Sequence, residues 1–509
     1  MLAPHKFFSH PRESCAASSV HDVPSLPLLN LIVQVLHGKI DFSKTAIVSV
    51  QHILETTASL FKAFIELGVR PERLYCIGKP YSTCPEVARA FKKLKVQLLP
   101  DVMPAMVGEY QESSRVGIRS LWQKVEMDLQ SNGIDTIIVI DDGGRGFEEM
   151  PRWLRFNYKV AGVEQTRAGL YSTTLTDTLP FPLVEVASSA AKRFIEPPLI
   201  IEAVFEGIKG RILALEINER TVCGVIGNGA IGNALVGFLA QKGATVLVYD
   251  ESAQSFQQVA FYNKFHRMDG IFSLIENSDY VFGCTGRDIT QGINTLDACK
   301  GKRKTFISCT SEDKEFFSFL KVVAKCNLSK TINPLSDINF SINGCDVLIM
   351  SGGYPVNFNG SPSSVPPRDI ELTRCLLLLG FVQAFLAAEK PVPDGITPHK
   401  TKRLQLNPFL QRFVALLWGQ RQRFENSQKY SSELMDNFRD IQWIIKNSGE
   451  GRLFDHHFLR NFFFLPPREM LRITYPSCSP QSPLDRSPTA NPTTSTAENA
   501  PTNKLSSSL

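Results

Sequence analysis

Short apolar runs alternate along much of the chain with longer stretches whose apolar positions recur every three or four residues, the pattern of strands alternating with amphipathic helices. Lys44 to Val50 reads as a strand, roughly Ile53 to Leu67 as an amphipathic helix, Arg73 to Ile77 as a strand and Cys84 to Leu94 as a helix. Gln97 to Leu99, a helix over roughly Ser113 to Gln130 and the strand Thr136 to Ile140 continue the alternation. Strands and helices joined by short loops predict a doubly wound parallel sheet. This unit ends in Asp141-Asp142-Gly143-Gly144. Acids and glycines just past the C-terminal end of a buried strand lie where open α/β sheets bind ligands.

The sharpest pattern is Thr221 to Glu251. An apolar run, Val222 to Ile226, meets the turn Gly227-Asn228-Gly229, then a helical stretch from Ala230 to Lys242 and a second apolar run, Ala244 to Tyr249, closed by Asp250. In a dinucleotide fold Gly227 allows the tight turn, Gly229 lets the backbone approach a pyrophosphate and Gly232 lets helix and strand pack closely. The helix start, with Asn228, Ala230 and Ile231, offers free N–H groups and the positive dipole end to phosphates. Asp250, 18 residues past Gly232, is placed to accept hydrogen bonds from both ribose hydroxyls and would repel a 2′-phosphate. The expected cofactor is NAD rather than NADP.

Ala187 to Gly210 reads as a helical connection into this second domain, whose later strands fall near Tyr280 to Phe282, Thr305 to Ser308 and Asp346 to Met350. Gly352 to Pro367 is a Gly/Pro/Ser-rich loop, and Ile370 to Ala388 is a helix returning to the first domain. The expected architecture is α/β with two doubly wound parallel sheets. A discontinuous substrate-type domain (25–195 and 352–400) carries an inserted Rossmann domain (196–351). A loose arm (1–24), a helical appendage (401–475) and a disordered tail (476–509) flank them. The tail is rich in Ser, Thr, Pro, Asn and Ala and lacks the apolar residues to bury a core.

Composition narrows the picture. Of 509 residues, 43% are hydrophobic and 21% charged, which suits large cores. Eleven Cys without CxxC pairs fit a reducing compartment and argue against a zinc cage, and the isolated His456-His457 pair makes a poor metal site. The N-terminus lacks a basic start followed by an apolar core. The greasiest run, Cys375 to Ala388, is too short to span a bilayer. These features lead to the expectation of a cytoplasmic protein with neither a membrane nor a nucleic-acid partner. The net charge of +5 matches the excess in residues 400–470, 12 Lys/Arg against 7 Asp/Glu, but acids alternate with bases there as on a solvated helical face.

Several short motifs then fall in the order of one family. His52 in QHILETT, at the opening of the first helix, Ser82-Thr83, Asp141-Asp142-Gly143-Gly144, Gly162-Val163-Glu164-Gln165-Thr166, the GNGAIG loop with Asp250, and Pro355-Val356-Asn357-Phe358 with Gly360-Ser361-Pro362-Ser363 resemble S-adenosylhomocysteine hydrolase over roughly residues 44–390. The resemblance implies tightly held NAD, with Thr166, Thr285, Gly286 and Asn357 joining the glycine loop around it. It implies Asp142 and His52 beside a nucleoside-like substrate. It also implies a lysine and an acid four apart, restored here as Lys192 and Glu196 by a one-residue shift. Without that shift Ala191 and Ile195 take those places, and the pair reads as an ordinary i,i+4 surface contact. Family members assemble as tetramers through swapped tails, which leaves a homo-oligomer as an expectation without the matching tail.

The departures bear on chemistry. The family's substrate glutamate is Gln165 here, a threonine is Leu54, and two histidines are Ser311 and Ser361. Each lost acid–base group removes roughly 10²–10⁴-fold of rate. The expectation is therefore an NAD-binding relative with lost or altered hydrolase activity, acting by NAD-dependent redox chemistry on another nucleoside-like or hydroxy compound, or sensing NAD. The alternative is a non-catalytic scaffold acting through residues 401–509, and a working adenosylhomocysteinase is a third reading. Arg145 and Arg167 beside the cleft suit an anionic ligand but read first as solvated arginines.

Overall fold

A computed structural model describes residues 23–129, 133–171, 181–209, 211, 217–258, 265–301, 303–326, 328, 333–389 and 403–425. The arm to residue 22, residues 426–475 with His456-His457, and the tail lie outside them.

The first sheet contains β1 (Thr45–Val50), β2 (Leu74–Ile77), β3 (Gln97–Leu99), β4 (Thr136–Asp141), β5 (Lys159–Glu164) and β6 (Leu183–Glu185). The second contains β7 (Val222–Ile226), β8 (Thr245–Tyr249), β9 (Phe265–Arg267), β10 (Tyr280–Gly283), β11 (Arg303–Ser308), β12 (Ile338–Ile342) and β13 (Cys345–Ile349). A last strand, β14 (Arg403–Gln405), pairs in parallel with β6. The sheet orders are β14-β6-β5-β4-β1-β2-β3 and β12-β13-β11-β10-β7-β8-β9. All pairings are parallel except β12 with β13. Strands β1 and β4 are buried at every position, which is why they read as unbroken apolar runs.

In each sheet the order reverses beside its first strand, between β1 and β4 and between β7 and β10. These switch points are where doubly wound sheets open a crevice at the C-terminal ends of their strands. In the second sheet, β9-β8-β7-β10-β11-β13 is the 3-2-1-4-5-6 order of dinucleotide-binding domains.

Three expectations change. The returning helix runs Pro367–Ala388, 22 residues, so it is long and apolar enough to cross a membrane; 89% of its apolar window is buried inside the protein. Apolar residues stand on every side of it because it packs on β4, β5 and β6 and on the helices Pro27–Leu36, Glu55–Glu66, Ala190–Ile208 and Pro408–Glu425. Residues 403–425, expected within an appendage, supply the edge strand β14 and a helix against this central one. His52 precedes the first long helix rather than opening it, because that helix starts at Glu55.

Candidate functional site

In the glycine turn after β7 the three glycines differ in geometry. Gly227 has φ +94°, a left-handed backbone that a side chain resists. A Cβ on Gly232 would lie 1.8 Å from Gly227 O, so only glycine lets helix and turn touch. A Cβ on Gly229 would meet nothing within 4 Å, because that position faces the open cleft. Behind Gly229 the helix Ala230–Gln241 begins without a side-chain cap and without an acid in its first turn. Its first N–H groups and dipole are left for an anion. Asp250 Oδ2 accepts the Asn228 N–H at 2.6 Å and the Asn228 amide reaches Ser255 O at 2.8 Å, which ties the turn to the end of β8. Thr285 and Gly286 line the cleft, but their N–H groups donate to buried Glu315, so their contribution to a ligand is surface. Asn357 also lines it and is buried, 7% exposed. The residues present fit a nicotinamide dinucleotide: the turn, the open cradle and the free helix start meet at the cleft, and Asp250 stands at the end of β8 against the turn, accepting the Asn228 and Ser252 N–H groups.

The cleft, about 360 Å³, continues from Gly229, Ala230 and Ile231 to His52, Asp142, Lys192, Glu196 and Arg374. Asp142 follows β4 and is 3% exposed. It accepts from the Lys79 ammonium and the Gln165 amide, and His52 Nε2 stands 3.3 Å from its Oδ2. Burial would raise this carboxyl, but Lys79 and His52 hold it well below the usual range. Lys79 is itself pulled down by burial and more than restored by Asp142, so the pair stays ionised. Burial lowers His52, and Asp142 opposes this only in part, so the ring is neutral at neutral pH. His52 Nδ1 lies 2.5 Å from Ser82 Oγ, and its ring stacks on Phe358 at 4.4 Å. The family-like Ser82, His52 and Asp142 thus form one chain of contacts.

Lys192 and Glu196 form an ion pair on the connecting helix and line the cleft, 19% and 14% exposed. They are not the surface pair that their spacing suggests. Leu54, Gln165 and Ser311 line the same wall, whereas Ser361 lies in a small adjoining hollow with its hydroxyl donating to Ser363 O. Thr166 is cleft-lining, but its N–H and hydroxyl both donate to Glu164 at 2.7 Å. Arg145, expected solvated, is buried in an ion pair with Glu312, while exposed Arg167 lines the mouth and donates to Tyr171 Oη at 2.8 Å.

Sequence reasoning missed Lys79, Glu312, Glu315 and Arg374, and it gave Glu164, a member of the Gly162–Thr166 run, no role of its own. For Lys79 a signal existed, a lysine two residues past a buried strand. Glu164 sits opposite Asp141 in the β4–β5 register, and both are buried. Burial is the main cause that raises both carboxyls: Asp141 goes to about 7 with Lys79 opposing and the Asp142 charge adding, and Glu164 is raised further by the Asp141 charge.

No protein-family model matches this chain. An uncharacterised protein of Mycobacterium tuberculosis is 25% identical over 371 residues, 72% of this chain and 68% of that one, and its counterpart in a second strain matches equally. Among solved structures, a dipicolinate synthase chain from Bacillus halodurans aligns over 69% of this chain and 99% of its own at 11% identity, with a TM-score of 0.34. An NAD-complexed D-isomer specific 2-hydroxyacid dehydrogenase of Lactobacillus delbrueckii ssp. bulgaricus aligns over 69% and 100% at 12% identity, with a TM-score of 0.30. At these scores the likeness is loose.

Proposed function

We propose that this protein is an NAD-dependent oxidoreductase of adenosylhomocysteinase-like architecture that acts on a hydroxyl-bearing compound and has lost the hydrolase cycle. The observation that carries this reading is the continuity of one cleft from the open cradle at Gly229 to the buried His52–Asp142–Lys79 network. Bound NAD supplies a hydride acceptor. The chain supplies the rest. His52 is neutral because it is buried, so its imidazole can take the hydroxyl proton, and ionised Asp142 stabilises the imidazolium that results. Lys79 fixes Asp142 in its charged form, and Lys192 with Glu196 presents a second polar pair to the ligand. Asp250 at the tip of β8 favours NAD over NADP by repelling a 2′-phosphate.

The hydrolase cycle needs further acid–base groups to eliminate a thiol and add water. Gln165 cannot act as a base, and Ser311 and Ser361 stand where the resembled family has histidines. The test is calorimetric titration with NAD and NADP, followed by a screen of hydroxy compounds for reduced nicotinamide. NAD binding well above NADP, with turnover of a hydroxy compound that fails in His52→Gln, supports the reading. Thiol release from adenosyl thioethers would replace it with a working hydrolase.

A further inference from the structure

The inner wall of the cleft holds a cation that the redox reading leaves without a task. Arg374 lies on the central helix Pro367–Ala388, lines the cleft and is 6% exposed. Its Nε donates to Thr56 Oγ1 at 3.0 Å. Among the described residues no other hydrogen bond or ion pair engages the guanidinium, so its two terminal nitrogens are unpaired. The nearby carboxylates are committed elsewhere: Asp142 to Lys79 and His52, Glu196 to Lys192. Burial pulls Arg374 down to about 10, with Glu196 and Asp142 opposing, which leaves it charged at neutral pH.

A purely structural arginine here would be a poor solution. Most of the helix is apolar and buried, its buried Glu371 is ion-paired with Arg421, and a methionine at position 374 would fill the space without burying an unpaired charge. What the guanidinium offers is a planar fork of donors, which matches two oxygens of one anion. The cleft as a whole favours an anion, because Arg167, Lys192, Arg193 and Arg374 line it against the carboxylates of Asp142 and Glu196.

We propose that Arg374 is the substrate-anion site: its terminal nitrogens grip a carboxylate or phosphate monoester of the substrate beside His52 and Asp142. This rests on the redox reading above, and it narrows the substrate to a hydroxy compound bearing an oxyanion. As the hydroxyl carbon is oxidised, its hydride leaves for NAD and its hydroxyl proton for His52. The anion is unchanged and serves only to hold and orient.

The test is calorimetric titration of the full chain, saturated with NAD, with malonate and with inorganic phosphate. Wild type is compared with Arg374→Met and Arg374→Lys. At least one anion should bind wild type, bind Arg374→Met about tenfold or more weakly and recover in part in Arg374→Lys, as expected for a charge-assisted pair. Binding of malonate alone identifies a carboxylate, and of phosphate alone a phosphate; either supports the site. Failure of both anions on wild type, or equal binding by Arg374→Met, overturns it. Should Arg374→Met not fold, wild-type crystals soaked in each anion must show density on the guanidinium, and its absence overturns the site equally. NAD is assayed in the same samples. Protein without NAD fails the redox reading itself, whereas NAD-loaded protein that ignores both anions fails only the assignment of Arg374.

Discussion

Arg145 Nη2 and Glu312 Oε2 meet at 2.7 Å, 7% and 2% exposed, and join the loop after β4 to the loop after β11. Glu312 holds a left-handed backbone (φ +71°), donates its N–H to Tyr81 Oη at 3.3 Å and takes Lys314 Nζ at 3.0 Å. The Arg145 guanidinium also lies over the Tyr110 ring at 5.1 Å. This buried pair couples the two sheets next to the Asp141–Gly144 turn.

Breaking it from one side strands a charge. Glu312→Gln should lower unfolding stability by roughly 3–5 kcal/mol, and Arg145→Met combined with Glu312→Leu should lose much less. Denaturant titration of the two proteins checks this. Equal losses would mean that the pair is not the coupling element.

The glycines of the turn should separate folding from binding. Gly232→Ala forces a methyl against the Gly227 carbonyl and should destabilise the domain by about 1–3 kcal/mol or more while removing NAD binding. Gly229→Ala meets only open space, so its stability should stay within about 0.5 kcal/mol of wild type. Its NAD affinity should still fall at least about tenfold. Unfolding curves paired with calorimetry separate the two, and a stable Gly232→Ala would contradict the packing described.

Glu315 gives a pH signature. It accepts from Thr285 N at 2.6 Å, Thr285 Oγ1 at 3.0 Å, Thr310 Oγ1 at 2.8 Å and the Gly286 N–H, yet burial outweighs these bonds and raises it to about 7. Because the folded state holds this proton more tightly, the contribution is fully present below about pH 4.5 and is lost as pH rises through about 7. Across that window the difference between wild type and Glu315→Gln should change by roughly 3 kcal/mol at most. Asp142 and Glu312 are depressed in the folded state and run the other way, adding stability that is lost as pH falls. Only the wild-type-minus-variant difference isolates Glu315, and parallel stability curves would refute its raised value.

Gln165→Glu tests the lost hydrolase wall. The Gln165 amide donates to Asp142, and a carboxylate in its place would face another at hydrogen-bond distance. Stability should drop by about 1–3 kcal/mol, and thiol release from adenosyl thioethers should not appear, because Ser311 and Ser361 still lack the imidazoles. Restored hydrolysis would show that one glutamate was the missing group.

Much of this is legible in the chain. Fully buried parallel strands leave continuous apolar runs, so β1, β4 and β7 stand out, and the glycine turn carries its own geometry in Gly227, Gly229 and Gly232. The short strands β6 and β14 have too few residues for a period. The antiparallel edge of β12 and β13 turns on Asn343-Gly344, both with positive φ, a hairpin signal easily hidden beside a parallel pattern. The polar core is the least legible. Lys79 finds Asp142 across 63 residues and Arg145 finds Glu312 across 167, distances over which side-chain pairing leaves no local pattern. The Lys192–Glu196 spacing is visible, but its burial depends on how the connecting helix packs, which spacing cannot carry.

The measurement closest to the central claim is the nucleotide content of the purified protein. The chain is denatured and the supernatant assayed for NAD, wild type beside Gly229→Val. Near-stoichiometric NAD from wild type and none from the variant is the predicted result. Wild-type protein that releases no NAD, and binds none on calorimetric titration, would contradict a redox cofactor in this cleft.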